Sequence, residues 1–475
     1  MKTRFQLIVA LVLVSLLLAA CSPAATPVPP PAPTTAAPAP TSVPAPTVAA
    51  PAPTVAAPVP TTAASQAKPL DQIKGKVTIW FDSGATWNPA ITQLNDAFKK
   101  MAPNVEVEWV PQDTNQMSAK IVAAFSTGSG PDIAMGSQYR LTTAEDQFQA
   151  WADLTPLMQQ DKDFAATVAA LPDVQVATYK RGNKLWGLPE VVQSVGLFVR
   201  KSWLDSAGGQ LPTDWQSMTD LAKKFTKADQ FGYCIFGAPG VTNSSGIQFE
   251  YSGAAAGIKY PIIDPDGKPT FNTPQAIQVA KWLYQWQHVD KVTSPATPTF
   301  THVEFYNAVQ AGTCGIGRVG AWNVGPWSST KIGSDFVVIP YPPMTKDQKD
   351  PAYQVSWSNG IVMNAKPQNP DAVTAYFKFL MSKQAQTIFF PVRTSWARTD
   401  LDFATLFGTN ERLLYFAKPQ QYTAEMAYHP NYLPILDILA KHLNTMLADS
   451  KSDPEKELTA AYNEAMAKYK ELGGK

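Results

Sequence analysis

Catalysis would need acids, and three of them, Asp82, Glu190 and Glu250, fall near stretches expected to be loops. Two carboxylates facing each other across a gap are the machinery of glycoside hydrolysis, but nothing in the spacing of these three pairs them. The four histidines, at 288, 302, 429 and 442, lack the clustering of metal ligands, and His302 with Glu304 is an isolated pair. Neither a metal nor an organic cofactor is implied. The run Gly312-Thr313-Cys314-Gly315-Ile316-Gly317-Arg318-Val319-Gly320 could suggest a phosphate loop, yet no Gly-Lys-Ser/Thr follows it and no helix is expected to begin there. Cys234 and Cys314 allow a disulfide; two small buried thiols fit equally well. What remains is aromatic. The chain has 13 Trp, side chains that present a large flat face at little rotamer cost and so serve binding as well as core. Trp215 and Trp282 fall within helical patterns and are assigned to packing.

Elements must hold such faces in place. At 475 residues the chain is long enough for two or three domains with sizeable cores. Its formal charge of +1 gives no pull toward nucleic acid. Residues 1–20 begin with Lys2 and Arg4 and turn apolar from 7 to 20, too short to span a bilayer and patterned as an export signal. The end of that run, Leu18-Ala19-Ala20-Cys21, resembles the lipobox of bacterial lipoproteins, which implies cleavage before Cys21 and a lipid on that residue. Residues 21–70 are then the lipidated Cys and a Pro/Ala/Thr stretch that repeats Pro-Ala-Pro-Thr-Val-Ala-Ala from Pro44 and again from Pro51. With no apolar face to bury, it reads as a disordered tether with a reach on the order of 140 Å.

The folded part opens with a strand at 76–80, a helix carrying Ile91, Leu94, Phe98 and Met101, and a second strand at 105–110: a βαβ unit. A helix with Met117, Ile121, Ala124 and Phe125 and a strand at 132–135 follow. Strands alternating with helices argue for a parallel sheet covered on both faces, with ligands meeting the loops at the strands' carboxyl ends. The loop around Trp87 and the segment Gly136-Ser137-Gln138-Tyr139 lie at such ends. Residues 182–200 are broken by Gly and Pro in their first half and strand-like in their second, and read as the chain leaving one lobe for another across a hinge. Beyond it, Thr213 with Gln216 reads as a capping box, 233–236 as a strand, 245–251 as a loop, and Thr273-Pro274 as a helix start. Residues 312–322 read as a strand ending in Trp322, and 336–339 as a strand running into Pro340-Tyr341-Pro342-Pro343, the second interlobe candidate. Residues 356–363 read as a loop into a strand, Asn369-Pro370 as a helix cap, and 432–472 as helix broken near 452–454.

In this order the pieces resemble the extracellular solute-binding proteins of carbohydrate ABC importers, the maltose-binding-protein-like family, from Lys76 to the end. The resemblance is carried by Ser129-Gly130-Pro131-Asp132-Ile133, by Lys184-Leu185-Trp186-Gly187-Leu188-Pro189 with Leu197-Phe198-Val199, by the glycine-rich run to Trp322, and by Trp357-Ser358-Asn359-Gly360-Ile361-Val362 followed by Asn369-Pro370-Asp371-Ala372. It implies an α/β fold of two lobes, each a mainly parallel sheet flanked by helices, that close over a solute by a hinge. Lobe 1 would take residues 71–190 and 340–398, lobe 2 residues 194–336 and 401–475, with hinges near 187–194 and 337–343.

Site positions come from the same resemblance. Trp87 and Asn88 follow the first strand, and Trp322 stands where the family places a stacking aromatic. Gln193 holds a position, entering the hinge, that often binds sugar hydroxyls; it departs from the acidic residue of some members. Gln138, Tyr139, Tyr251, Trp357, Asn359 and Arg393 complete the set. Aromatic faces cover the apolar C–H faces of a sugar, and amides and Arg satisfy its hydroxyl rim. The implied function is capture of a sugar or oligosaccharide by a lipid-anchored monomer that hands it to an ABC permease, without catalysis. A peptide, polyol or glycerol phosphate receptor is the alternative, and a surface glycoside hydrolase a further one. The Trp-rich, nearly uncharged set argues against phosphate.

Overall fold

The computed structural model describes residues 68–474 apart from 83–86, 114–115, 241–243, 394–395, 418–422 and 426–428; the side chains of 391–393, 417 and 423–425 also lie outside it. The export signal, Cys21, the tether and the Arg393 side chain therefore fall outside the described residues. Among those described, no helix is long and apolar enough to cross a membrane.

Strand β1 (Lys74–Phe81) alternates, burying Val77, Ile79 and Phe81, as a strand with one face on a core must. It pairs in parallel with β2 (Asn104–Pro111) on one side and β3 (Ile133–Ser137) on the other. The connecting helix Asn88–Met101 has Pro89 in its first turn and buries Ala90, Leu94 and Phe98, four residues apart on one face. A hairpin, β4 (Lys180–Arg181) with β5 (Lys184–Leu185), turns at Gly182 with φ +58° and leads into the long β6 (Leu188–Arg200). The remaining strands are β7 (Phe231–Cys234), β8 (Cys314–Gly320), β9 (Phe336–Ile339), β10 (Gln354–Met363) and β11 (Thr423–Glu425). The main sheet runs β2-β1-β3-β10-β6-β8-β7, with β11 on β10 and β9 on β6. Its outer pairings, β1 with β2 and β3 and β7 with β8, are parallel; the antiparallel ones all involve β6 or β10.

Those two strands join two separate apolar cores. The first gathers Val77, Phe98, Trp151, Trp186, Leu188, Ile361 and Phe377; the second gathers Val195, Phe198, Trp215, Trp286, Ile316, Tyr341, Val355 and Leu439. The chain thus passes from first core to second within β6 and returns within β10, between Val355 and Ile361. The return lies downstream of the Pro340 to Pro343 stretch, because Tyr341 packs on the second core. A third passage follows Phe389, which belongs to the first core while Phe390 belongs to the second.

Several local expectations shift. The capping box before the helix Trp215–Phe225 is made by Asp214 and Ser217, one residue later than Thr213 and Gln216; a carboxylate accepts the Ser217 amide at 2.7 Å, a stronger cap than a hydroxyl. Residues 245–251, expected as loop, lie in the helix Ser245–Ala255, buried on every side so that no apolar stripe marks it. Residues 356–363 are strand throughout, with a bulge at Asn359 and Gly360. A short helix, Ala321–Trp327, does begin after β8, placing Trp322 on it. Glu304, two residues after His302, closes a capping box with Thr301. Thr273 caps its helix as expected, accepting the Ala276 amide at 3.1 Å. Cys234 and Cys314 form a disulfide between adjacent strands.

Candidate functional site

Strand β6 is buried along its length except at Val192, Gln193 and Ser194, and β10 is buried except at Trp357 and Asn359. These half-buried midpoints coincide, since Gln193 pairs with Trp357 across the antiparallel ladder. Cross-strand partners stand side by side on one face, and alternation puts Asn359 on the same face as Trp357. Water therefore reaches the two crossing strands where they pass between the cores. The Asn359 carboxamide oxygen accepts from Ser137 Oγ at 3.1 Å.

Trp322 and Tyr306 border this face. The Trp322 ring meets Trp357 edge to face, with centroids 5.6 Å apart and planes at 66°. The short helix Ala321–Trp327 places Trp322 there because Gly320 lets its indole fold back: a Cβ at Gly320 would sit 2.2 Å from the ring. The indole Nε1 of Trp322 donates to Tyr306 Oη at 3.2 Å, and the same oxygen accepts from Arg318 Nη2 at 2.5 Å. Arg318 is 3 % exposed, its guanidinium within 6 Å of the rings of Phe236, Tyr251, Tyr306 and Trp322. On the far side, Val192 forms a bridge with Trp396, whose half-buried ring packs on Phe390, Phe403 and Phe407.

The structure thus brings Gln193, Trp322, Trp357 and Asn359 to one face. Trp87 lies elsewhere, in the first core, stacked on Phe81 at 5.2 Å and edge-on to Phe389; Asn88 beside it is exposed in the first turn of its helix. Gln138 is fully buried and its amide is used internally, donating to the Thr178 carbonyl at 2.7 Å and accepting from Thr178 Oγ1 and Ser358 Oγ. Tyr139 is half-buried beneath the Arg140 guanidinium. Tyr251 is buried and accepts from Arg318 Nη1 at 3.5 Å. Tyr306, Arg318 and Trp396 were not foreseen. Thr301 and Glu304 at capping-box spacing would have announced the helix His302–Gln310 that carries Tyr306, and a lone Arg among the glycines of β8 was the mark of the second.

The three acids are spread out. Asp82 Oδ2 is 2.7 Å from Arg140 Nη1, Glu190 is buried in β6, and Glu250 accepts from the Tyr432 hydroxyl at 2.7 Å. Burial pushes Glu250 up to about 7, against the opposing pull of that hydrogen bond. Asp82 and Glu250 thus serve internal contacts in different cores.

Comparison with known proteins agrees with this architecture. A putative ABC transporter periplasmic-binding protein of Escherichia coli K12 is 26% identical over 199 residues, 40% of this chain and 43% of that protein. The maltotriose-binding protein of Pyrococcus abyssi is 22% identical over 281 residues, 58% of this chain and 55% of the other. The matches thus span about half of each relative's length. Among solved structures, an ABC substrate-binding protein from Listeria monocytogenes in complex with cycloalternan superposes with a TM-score of 0.69 at 21% identity, over 85% of this chain and 100% of that one, a likeness of fold. The profile of bacterial extracellular solute-binding proteins matches residues 80–387, and the chain belongs to that family.

Proposed function

We propose that this protein is an extracytoplasmic receptor that captures a sugar or oligosaccharide between two lobes and delivers it to an ABC permease. One observation carries the reading: both crossing strands lose their full burial at the same level, where Gln193, Trp357 and Asn359 come together, and there Trp322 adds a second indole. Two indoles at an angle suit the C–H faces of a pyranose, and the amides of Gln193 and Asn359 suit its hydroxyls. The relatives named for maltotriose and cycloalternan support a saccharide. In this reading β6 and β10 are the pivot, lobe 1 is built on the first core and lobe 2 on the second. A lipid on Cys21 holds the tether to the membrane, and the receptor acts as a monomer without catalysis.

A thermal-shift screen of the mature chain against mono- and oligosaccharides, polyols and peptides tests this. Saturable stabilisation by a saccharide that is recovered intact is the expected result. Release of reducing sugar, or stabilisation by peptides alone, would overturn it.

A further inference from the structure

Resting on that saccharide reading, we propose that the guest is acidic, and that Arg318 and Tyr306 receive its anionic oxygen beside Trp322. Arg318 stands in a strand whose other members, from Cys314 to Gly320, are glycine or apolar apart from the disulfide cysteine. Its guanidinium is surrounded by aromatic rings and two phenol oxygens, and among the described residues no carboxylate pairs with it. Among the same residues its Nε has no hydrogen-bond partner. A buried charge is ordinarily matched by an opposite one, and cation–π contacts with Trp322, Tyr306 and Phe236 replace that match only in part. A methionine would fill the same space without the desolvation cost, so packing does not explain the charge.

Tyr306 shows where the missing anion would sit. Its hydroxyl oxygen already accepts two hydrogen bonds, from Arg318 Nη2 and Trp322 Nε1. Both lone pairs are thereby used, and the phenol proton must point away from them. Among the described residues no acceptor for it is present. Tyr306 is half-buried, next to the half-buried Trp322 and Trp357. A phenol polarised by a guanidinium is a strong donor, and its best acceptor is a charged oxygen. An anion bonded to that proton neutralises Arg318 through the phenol, or directly if the guanidinium turns. Carboxylate on a uronic acid and sulfate on a sugar ester share this chemistry.

Calorimetric titration separates the cases. The mature chain is titrated with a uronic-acid oligosaccharide, with its carboxyl-reduced neutral counterpart, and with a sulfated oligosaccharide. One or both of the acidic ligands should bind at least 30-fold more tightly than the neutral one, and the preference should shrink as salt is raised. Tyr306→Phe keeps the ring but removes the proton together with the oxygen that accepts from Arg318 and Trp322; it should lower the melting temperature and cut the acidic preference about tenfold, with affinity for the neutral counterpart little changed in the folded variant. Arg318→Lys, if it folds, should keep part of the preference and Arg318→Met should lose it. Equal affinity for acidic and neutral sugars, or a preference untouched by Tyr306→Phe, would overturn the acidic-guest assignment while leaving a sugar receptor standing. Failure of every saccharide would overturn both.

Discussion

Trp322 and Trp357 meet edge to face at 5.6 Å, although one stands on a short helix behind the glycine-rich strand and the other on a strand crossing between the cores. The second-core segment that carries Trp322 thus touches the crossing strand at the point where β10 opens to water. Removing Trp357 should remove part of the guest's apolar cover. Trp357→Ala should weaken sugar binding by roughly 1.4–2.8 kcal/mol, about 10- to 100-fold, and Trp357→Phe by much less. Calorimetry of variants whose melting curves match wild type checks this.

Gly360 lies in the bulge of β10 against the buried Tyr179. A Cβ there would lie 2.5 Å from the Tyr179 hydroxyl oxygen, and overpacking of that kind costs about 1–3 kcal/mol. Gly360→Ala should lower the unfolding free energy obtained from chemical denaturation by that amount; an unchanged value would show that the crossing has room for the methyl group.

The disulfide between Cys234 and Cys314 closes a separation of 80 residues that includes much of the second core. Replacing both cysteines with Ala should cost about 2–4 kcal/mol by freeing the unfolded chain. Comparing unfolding of the wild type with and without reductant against the double variant tests it: reductant should destabilise only the wild type.

Glu250 gives the pH dependence a sign. Burial raises its carboxyl from 4.5 to about 7, so between these values the folded state binds the proton that the unfolded state has released. Its contribution is most favourable below pH 4.5 and is lost as pH rises toward 7, by up to about 3 kcal/mol. Glu250→Gln should therefore be more stable than wild type at pH 8, with the gap closing by pH 4, as thermal melts across that range would show. A constant gap would contradict the assignment.

Much of the fold was legible because its signals are periodic. Leu94 and Phe98 mark a helix, Val77 and Ile79 a strand, and the order of strands and helices announced the α/β lobes. The candidate site was legible in part. Gln193, Trp322, Trp357 and Asn359 converge, but a Trp next to a loop says nothing of which way its ring turns, and Trp87 faces Phe81 and Phe389 instead of the opening. The buried helix Ser245–Ala255 escaped notice because burial on all sides erases the stripe that periodicity reads. The return crossing in β10 was hidden because the prolines at 340, 342 and 343 look like a boundary although Tyr341 between them is core.

A guest seated at this face must touch Trp322. Intrinsic fluorescence of the mature chain, titrated with the saccharide found by the screen, should change saturably, and Trp322→Ala, assayed at a temperature where it is fully folded, should shift the half-saturation point upward at least tenfold. If Trp322→Ala binds the same sugar as tightly as the wild type, the guest does not sit at this face.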